Sequence, residues 1–200
     1  ADAVAAIIVG AMIVRAGFKF AWAAIRELID TGLSSEEVAA IGRTIAATPG
    51  VLGMHELRTR RMAHQVLVDA HVQVNPRISV SEGHRIAETA RRRVLASHPE
   101  VLDVLVHVDA ENDLMGNAAA GLPDRETLLD HLRQLLDANP PDFGRTTLHY
   151  LGNRVEAEIF LPPDFADAER LASLRRHLTD RLAEDPWFSA IRLNLTIAPP

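Results

Sequence analysis

Residues 66–74, VLVDAHVQV, alternate without a break between two faces. Val66, Val68, Ala70, Val72 and Val74 fall on one side; Leu67, Asp69, His71 and Gln73 fall on the other. A strand of this pattern buries one face only, so it needs a layer of helices or a second sheet to cover that face. The flanking segments supply helices. Ser34-Ser35-Glu36-Glu37 has the form of a capping box, with Ser34 as N-cap and Glu37 at N3. Val38, Ile41 and Ile45 continue it as an apolar stripe, and Pro49-Gly50 ends the helix. Residues 51–60 suit a strand, and Asn75-Pro76 closes the alternating one. Ser79 and Glu82 open a second helix that runs to about Ala96, and His98-Pro99 breaks it. VLDVLVHVD at 101–109 is a last strand. The order is helix, strand, strand, helix, strand, and the class is α+β.

The same order recurs. Residues 111–123 are small, polar and glycine-containing, the composition of a linker. Leu128, Leu129, Leu132, Leu135 and Leu136 then stripe a helix, strands follow near 145–151 and 154–161, Leu171, Leu174, Leu178 and Leu182 stripe another helix, and a strand lies near 190–197. A shift of 87 residues lays VDAHVQVNP on VEAEIFLPP and Pro99 on Pro186, with no gap from 68 to 110. We read an internal repeat. The expected domains are 30–112 and 124–200, joined by a linker at 113–123 and preceded by residues 1–29.

Those first residues are distinct. Residues 3–25 are apolar except for Arg15 and Lys19. A bilayer crossing needs about 20 such residues. Arg15 and Lys19 share a helix face and can snorkel to one interface, where Trp22 also fits. Arg26 then places everything after it on the cytoplasmic side by the positive-inside rule. A buried helix of a soluble protein is the competing reading. The chain opens on Ala inside this run, so we expect it to be part of a longer protein.

Composition excludes several functions. The net charge of −6 and the 4% aromatic content give no basis for nucleic-acid binding. With no cysteine, disulfides and thiolate sites are ruled out, and any metal must bind through His, Asp or Glu. No nucleophile motif or glycine-rich phosphate loop suggests an enzyme. Attention falls on the nine histidines. His71 projects from the polar face of its strand, and His107 and Asp109 share one face of the last strand. His55 begins the first strand, and His84 sits in the first turns of the second helix. Imidazoles and a carboxylate suit Zn²⁺ and similar ions. Taken singly, each also fits an ordinary solvated position, and the His-Asp pair fits a plain hydrogen bond.

The segments PGVLGMHELRTRR (49–61), VDAHVQVNPRISVSEGHRIA (68–87) and VLVHVDA (104–110) together resemble the cytoplasmic domain of cation diffusion facilitators. ADAVAAIIVGAMIVRAG is similar to the last membrane helix of that family, and ELIDTGLSSEE to the segment leading into the domain. The resemblance covers residues 1–110. It implies a ferredoxin-like, metallochaperone-like αββαβ domain in a homodimeric, proton-coupled antiporter of the cell (inner) membrane. It also implies two ions per site: His55 and His71 on one, His84 and His107 on the other, and Asp109 linking them. Zn²⁺ is the expected ion, with Fe²⁺, Co²⁺, Mn²⁺, Ni²⁺ and Cd²⁺ open. Asp30 matches an aspartate that forms a hinge salt bridge to another membrane helix. The family's transport-site helices are absent from these residues. In the gapless shift His71, His84, His107 and Asp109 become Glu158, Leu171, Asn194 and Thr196, so the second αββαβ unit is expected to be metal-free and to extend the dimer. The alternative is a soluble tandem ferredoxin-like metal- or effector-binding protein.

Overall fold

The computed structural model describes residues 2–28, 33–62, 65–112, 118–136, 145–161 and 168–195. Helix α1 spans Asp2–Leu28. At 1.5 Å per residue it is about 40 Å long. Its segment Asp2–Ile25 is long and apolar enough to cross a membrane. None of its described side chains is buried, and Ile7 and Phe20 are more than 70% exposed. The buried helix of the soluble reading is therefore not realised within the chain. The rings of Phe18 and Trp22, one turn apart, stack at 6.4 Å.

The chain divides into two compact units, residues 1–109 and 110–200. In the first, α2 (Ser35–Ala46) starts from the expected capping box. Ser34 Oγ accepts from Glu37 N–H, and the Glu37 carboxylate accepts from Ser34 N–H at 2.8 Å. The Ser34 hydroxyl, donating to the same carboxylate at 2.7 Å, and the Ser34 N–H, with Arg61 alongside, hold the Glu37 carboxyl below its usual range. Strand β1 (Gly53–Met62) follows, then β2 (Gln65–Gln73), α3 (Val80–Ser97) and β3 (Val101–Asp109). Gly50 makes the turn between α2 and β1 at φ 93°, a conformation open to glycine at little cost. The sheet order is β1-β2-β3, with β1 antiparallel and β3 parallel to the central strand. Ile41 and Ile45 of α2 and Ala90 and Val94 of α3 are buried against Val66, Val68, Ala70, Val72 and Val104. The alternation read from the sequence thus puts its valine face under the helices.

The second unit repeats this plan. A 3₁₀ turn at Ala118–Gly121 lies within the stretch expected to be linker. It precedes α4 (Arg125–Leu135), β4 (Arg145–Leu151), β5 (Arg154–Leu161), α5 (Ala168–Leu182) and β6 (Phe188–Leu195). The sheet order is β4-β5-β6, again antiparallel then parallel. Gly152, at φ 58°, turns the hairpin between β4 and β5. Leu128, Leu132, Val155, Ile159, Leu161 and Phe188 are its most buried members.

A half-buried contact recurs within each unit. Thr44 Oγ1 lies 3.0 Å from His98 Nε2 in the first, and His131 Nε2 lies 2.6 Å from Asp185 Oδ2 in the second, each pair 54 residues apart in sequence. Both tie the first helix of a unit to the turn before its last strand.

The register corrects the gapless alignment. Val66 N–H donates to Glu100 O just as Val155 N–H donates to Trp187 O. Val155 therefore answers Val66, while Phe188 answers Val101. The second unit is two residues shorter between its central and last strands than the 87-residue shift allows. Phe160 thus occupies the place of His71, and Glu158 that of Asp69. Length variation sits in the segment between β5 and β6, which a strand-by-strand match cannot see.

Candidate metal centre

On β2, Leu67, Asp69, His71 and Gln73 project from the face opposite the helices. His71 is flanked on both sides. In register its partner on β3 is His107, and Gln73 pairs with Asp109. The His71 and His107 rings stack at 4.5 Å between centroids, 14° from parallel.

On the β1 side the ladder slips. Met54 pairs with Val72 and Glu56 with His71, which leaves His55 as the extra residue of a bulge. A bulge re-aims side chains and lets two consecutive residues serve one face. Both do so here. His55 Nε2 lies 3.2 Å from Asp109 Oδ2. Glu56 Oε2 lies 3.6 Å from His71 Nε2, and its other oxygen meets Arg58 at 2.5 Å.

The centre of the cluster is Asp109. Its Oδ2 is 2.9 Å from His71 Nδ1 as well as 3.2 Å from His55 Nε2. His55 and Asp109 are mostly buried, at 8% and 16% side-chain exposure, and His71 is at 29%. A second group shares His71: Asp69, His71 and His107 also offer mutually close ligand atoms. Asp69 Oδ1 is 3.5 Å from His107 Nε2, is shielded from solvent and has no hydrogen-bond partner.

The donor set fits a divalent cation. In a four-coordinate zinc site with bonds of about 2.0–2.1 Å, neighbouring donors stand about 3.3 Å apart. The two separations around Asp109 Oδ2, 2.9 and 3.2 Å, are within about half an ångström of that edge. Two imidazoles and an oxygen already converge, and the orphaned Asp69 oxygen is an acceptor that a cation would satisfy.

Four of the five residues expected to hold metal are thus brought together: His55, His71, His107 and Asp109. His84 is not among them. It is exposed on α3, the helix that covers the other face of the sheet. Asp30 lies outside the described residues. Sequence reasoning missed Asp69 and Glu56. Asp69 was within reach, since it is two residues from His71 on the same face of a readable strand. Glu56 was not, because ordinary alternation would have sent it to the side opposite His55.

The second unit shows what replaces the ligands. Arg145 pairs with Phe160 across the hairpin where Glu56 pairs with His71. The Arg145 guanidinium sits 4.9 Å above the Phe160 ring. Asn194 takes the place of His107; Thr196, expected to replace Asp109, lies outside the described residues. Arg192 approaches Glu156 at 3.2 Å and Glu158 at 3.6 Å, so a side-chain cation serves those carboxylates. Among the described residues, both groups able to hold a metal lie in the first unit.

The architecture is therefore an α+β domain of the ferredoxin-like kind, with a histidine–carboxylate cluster on the sheet face its helices leave bare. Residues 33–111 match the family described as the cytoplasmic domain of cation efflux proteins. Over 108 residues it is 39% identical to metal tolerance protein C1 of Arabidopsis thaliana, covering 54% of this chain and 23% of that protein. Over 109 residues it is 33% identical to the cation-efflux pump FieF of Cronobacter sakazakii, covering 54% of this chain and 36% of the pump. The chain thus spans between about a quarter and about a third of the length of these relatives. Among solved structures it is similar to MamM-CTD, with 26% identity, 38% of this chain and 98% of that one covered, and a TM-score of 0.37.

Proposed function

We propose that this chain is the C-terminal regulatory and dimerising part of a divalent-cation efflux transporter, with no enzymatic role. Two imidazole nitrogens around Asp109 Oδ2, at nearly the spacing of a zinc coordination edge, are the observation that carries this reading. Helix α1 would be the last membrane span of a cell (inner) membrane protein, with residues after about 26 in the cytoplasm. The first unit would sense the ion and the second would enlarge the dimer without binding it. Proton-coupled exchange and the Asp30 hinge belong to the transporter that the family resemblance implies.

His55, His71 and Asp109 would hold one ion. His107, with Asp69 or Asp109, would hold another. Because His84 lies across the sheet from this cluster, it can complete the second ligand set only from a second copy of the chain. Zn²⁺ suits nitrogen and oxygen donors best; Fe²⁺, Co²⁺, Mn²⁺, Ni²⁺ and Cd²⁺ use the same donor types.

The regulation follows from charge. Without metal the cluster presents Glu56, Asp69 and Asp109 on one face, and the chain as a whole carries −6. Two such faces repel each other. A divalent ion cancels that charge, and it favours the closed dimer to the extent that it binds that state more tightly. Zinc titration of the full chain in detergent, read by calorimetry and by sedimentation, tests the proposal. The expected result is saturable binding of one or two ions per chain with a shift towards dimer. Absence of saturable binding would remove the sensing role. If deleting residues 118–200 left the dimer unchanged, the second unit would have no part in it.

A further inference from the structure

The two nitrogens of His71 face different carboxylates. Nδ1 is turned to Asp109, at 2.9 Å, and Nε2 to Glu56, at 3.6 Å. An ionised carboxylate only accepts hydrogen bonds, so a hydrogen bond across the 2.9 Å contact requires the proton on Nδ1. A neutral imidazole has a single lone pair to give, on the nitrogen without the proton. Of the two ring nitrogens Nδ1 is the one beside Asp109 Oδ2, so an ion held by that oxygen would be met by His71 on the Nδ1 side. His71 can ligate there only as the other tautomer, with its proton on Nε2, and that proton then faces Glu56.

We infer that Glu56 is the positioning residue of the metal centre: its Oε2 accepts the Nε2–H of His71 and so fixes the tautomer that ligates through Nδ1. This deepens the metal-binding reading above and rests on it. At 3.6 Å the contact is too long for a hydrogen bond in the metal-free chain, and closing it takes a movement of about half an ångström. Glu56 is itself held. Its Oε1 is 2.5 Å from Arg58, which leaves Oε2 for the imidazole. The bulge at His55 makes this possible, since it puts Glu56 directly opposite His71 while His55 still reaches Asp109. Acceptors behind metal-bound histidines hold the ring and fix its tautomer, and losing one costs about 10–100-fold in affinity. The second unit fits the same logic: where Phe160 replaces His71, Arg145 replaces Glu56, so the acceptor disappears along with the imidazole it would serve.

The test uses the full chain in detergent micelles, with histidine ring nitrogens labelled by ¹⁵N. Zinc affinity is measured for the native chain, Glu56→Leu and Glu56→Gln. Leucine removes the acceptor, whereas glutamine keeps a neutral one. Glu56→Leu is expected to weaken zinc binding about 10–100-fold, and Glu56→Gln to stay within about threefold of the native chain. The nitrogen spectrum of the zinc-loaded native chain is expected to show His71 bound through Nδ1 and protonated at Nε2. Ligation through Nε2 in that spectrum would overturn the inference without any variant. So would an unchanged affinity in Glu56→Leu. Equal losses in both variants would overturn it as well, because Glu56 would then act through its charge or as a direct ligand. A native chain that binds no zinc would overturn the metal reading itself, which separates the two failures.

Discussion

Replacing Asp109 with alanine removes the one atom that the His55 and His71 imidazoles share. Two separate losses follow. Without the ion His71 loses its hydrogen-bond acceptor, and His55, at 8% exposure, loses the carboxylate oxygen 3.2 Å away where solvent compensates only in part. That costs about 1–2 kcal/mol in the first unit. In the metal-bound chain an anionic ligand disappears. Loss of an outer carboxylate alone costs up to about 100-fold in affinity, so a direct ligand costs at least about that much, or about 2.8 kcal/mol. Thermal unfolding with and without zinc measures the second loss. At free zinc about 100 times the native dissociation constant, the native chain gains about 2.7 kcal/mol of stability. A variant bound 100-fold more weakly gains only about 0.4 kcal/mol under the same conditions. The zinc-dependent rise in melting temperature should therefore all but vanish in Asp109→Ala, while the metal-free melting temperature falls by several degrees. A variant that kept the full zinc-dependent rise would refute the reasoning, since the ion would then sit elsewhere.

Acid should act on both units by different routes. In the first, imidazole ligands bind an ion only when deprotonated, so zinc affinity should be weaker at about pH 5.5 than at about pH 7.5; equal affinities would argue against a histidine site. In the second, burial pushes the Asp185 carboxyl up, but the N–H groups of Phe188 and Trp187 and the imidazole of His131 outweigh it and hold it below the usual range. A lowered carboxyl stabilises the fold above its unfolded pKa and stops doing so as pH falls through the folded value. Asp185→Asn should then cost about 2 kcal/mol at neutral pH and progressively less as pH falls below the ordinary carboxylate range, read by hydrogen exchange over residues 125–195; a cost independent of pH would contradict this. Gly50→Ala should cost about 1–3 kcal/mol, because φ is 93° and the new Cβ would fall 2.6 Å from Ile86 Cδ1; a neutral substitution by denaturant unfolding would show that the turn relaxes freely.

Local chemistry made much of the fold readable. The capping box at Ser34 and Glu37 formed as its residue spacing required, and VLVDAHVQV buried its valines because a half-covered strand has no other low-energy choice. Element ends moved by a residue or two, with β1 at 53–62 and β6 at 188–195, as hydrogen-bond ladders extend past the apolar pattern. The equivalence of the two units was less readable. A gapless shift matched the strands by apolar residues alone, and every second residue of a strand looks the same to such a match. Only hydrogen-bond register distinguishes Phe160 from Glu158 as the counterpart of His71.

By itself, the sequence determined which side chains were available for a metal and which strand face carried His71, His107 and Asp109. Both follow from residue identity and two-residue periodicity, which are local. The tertiary structure decided which of them meet. Antiparallel and parallel pairing on either side of β2 brought together residues up to 54 positions apart, His55 and Asp109. The bulge at His55 turned two neighbours, His55 and Glu56, onto one face, and the helix layer set His84 on the other. Register, bulge and layer come from packing the whole sheet against its helices, so no short stretch of sequence specifies them.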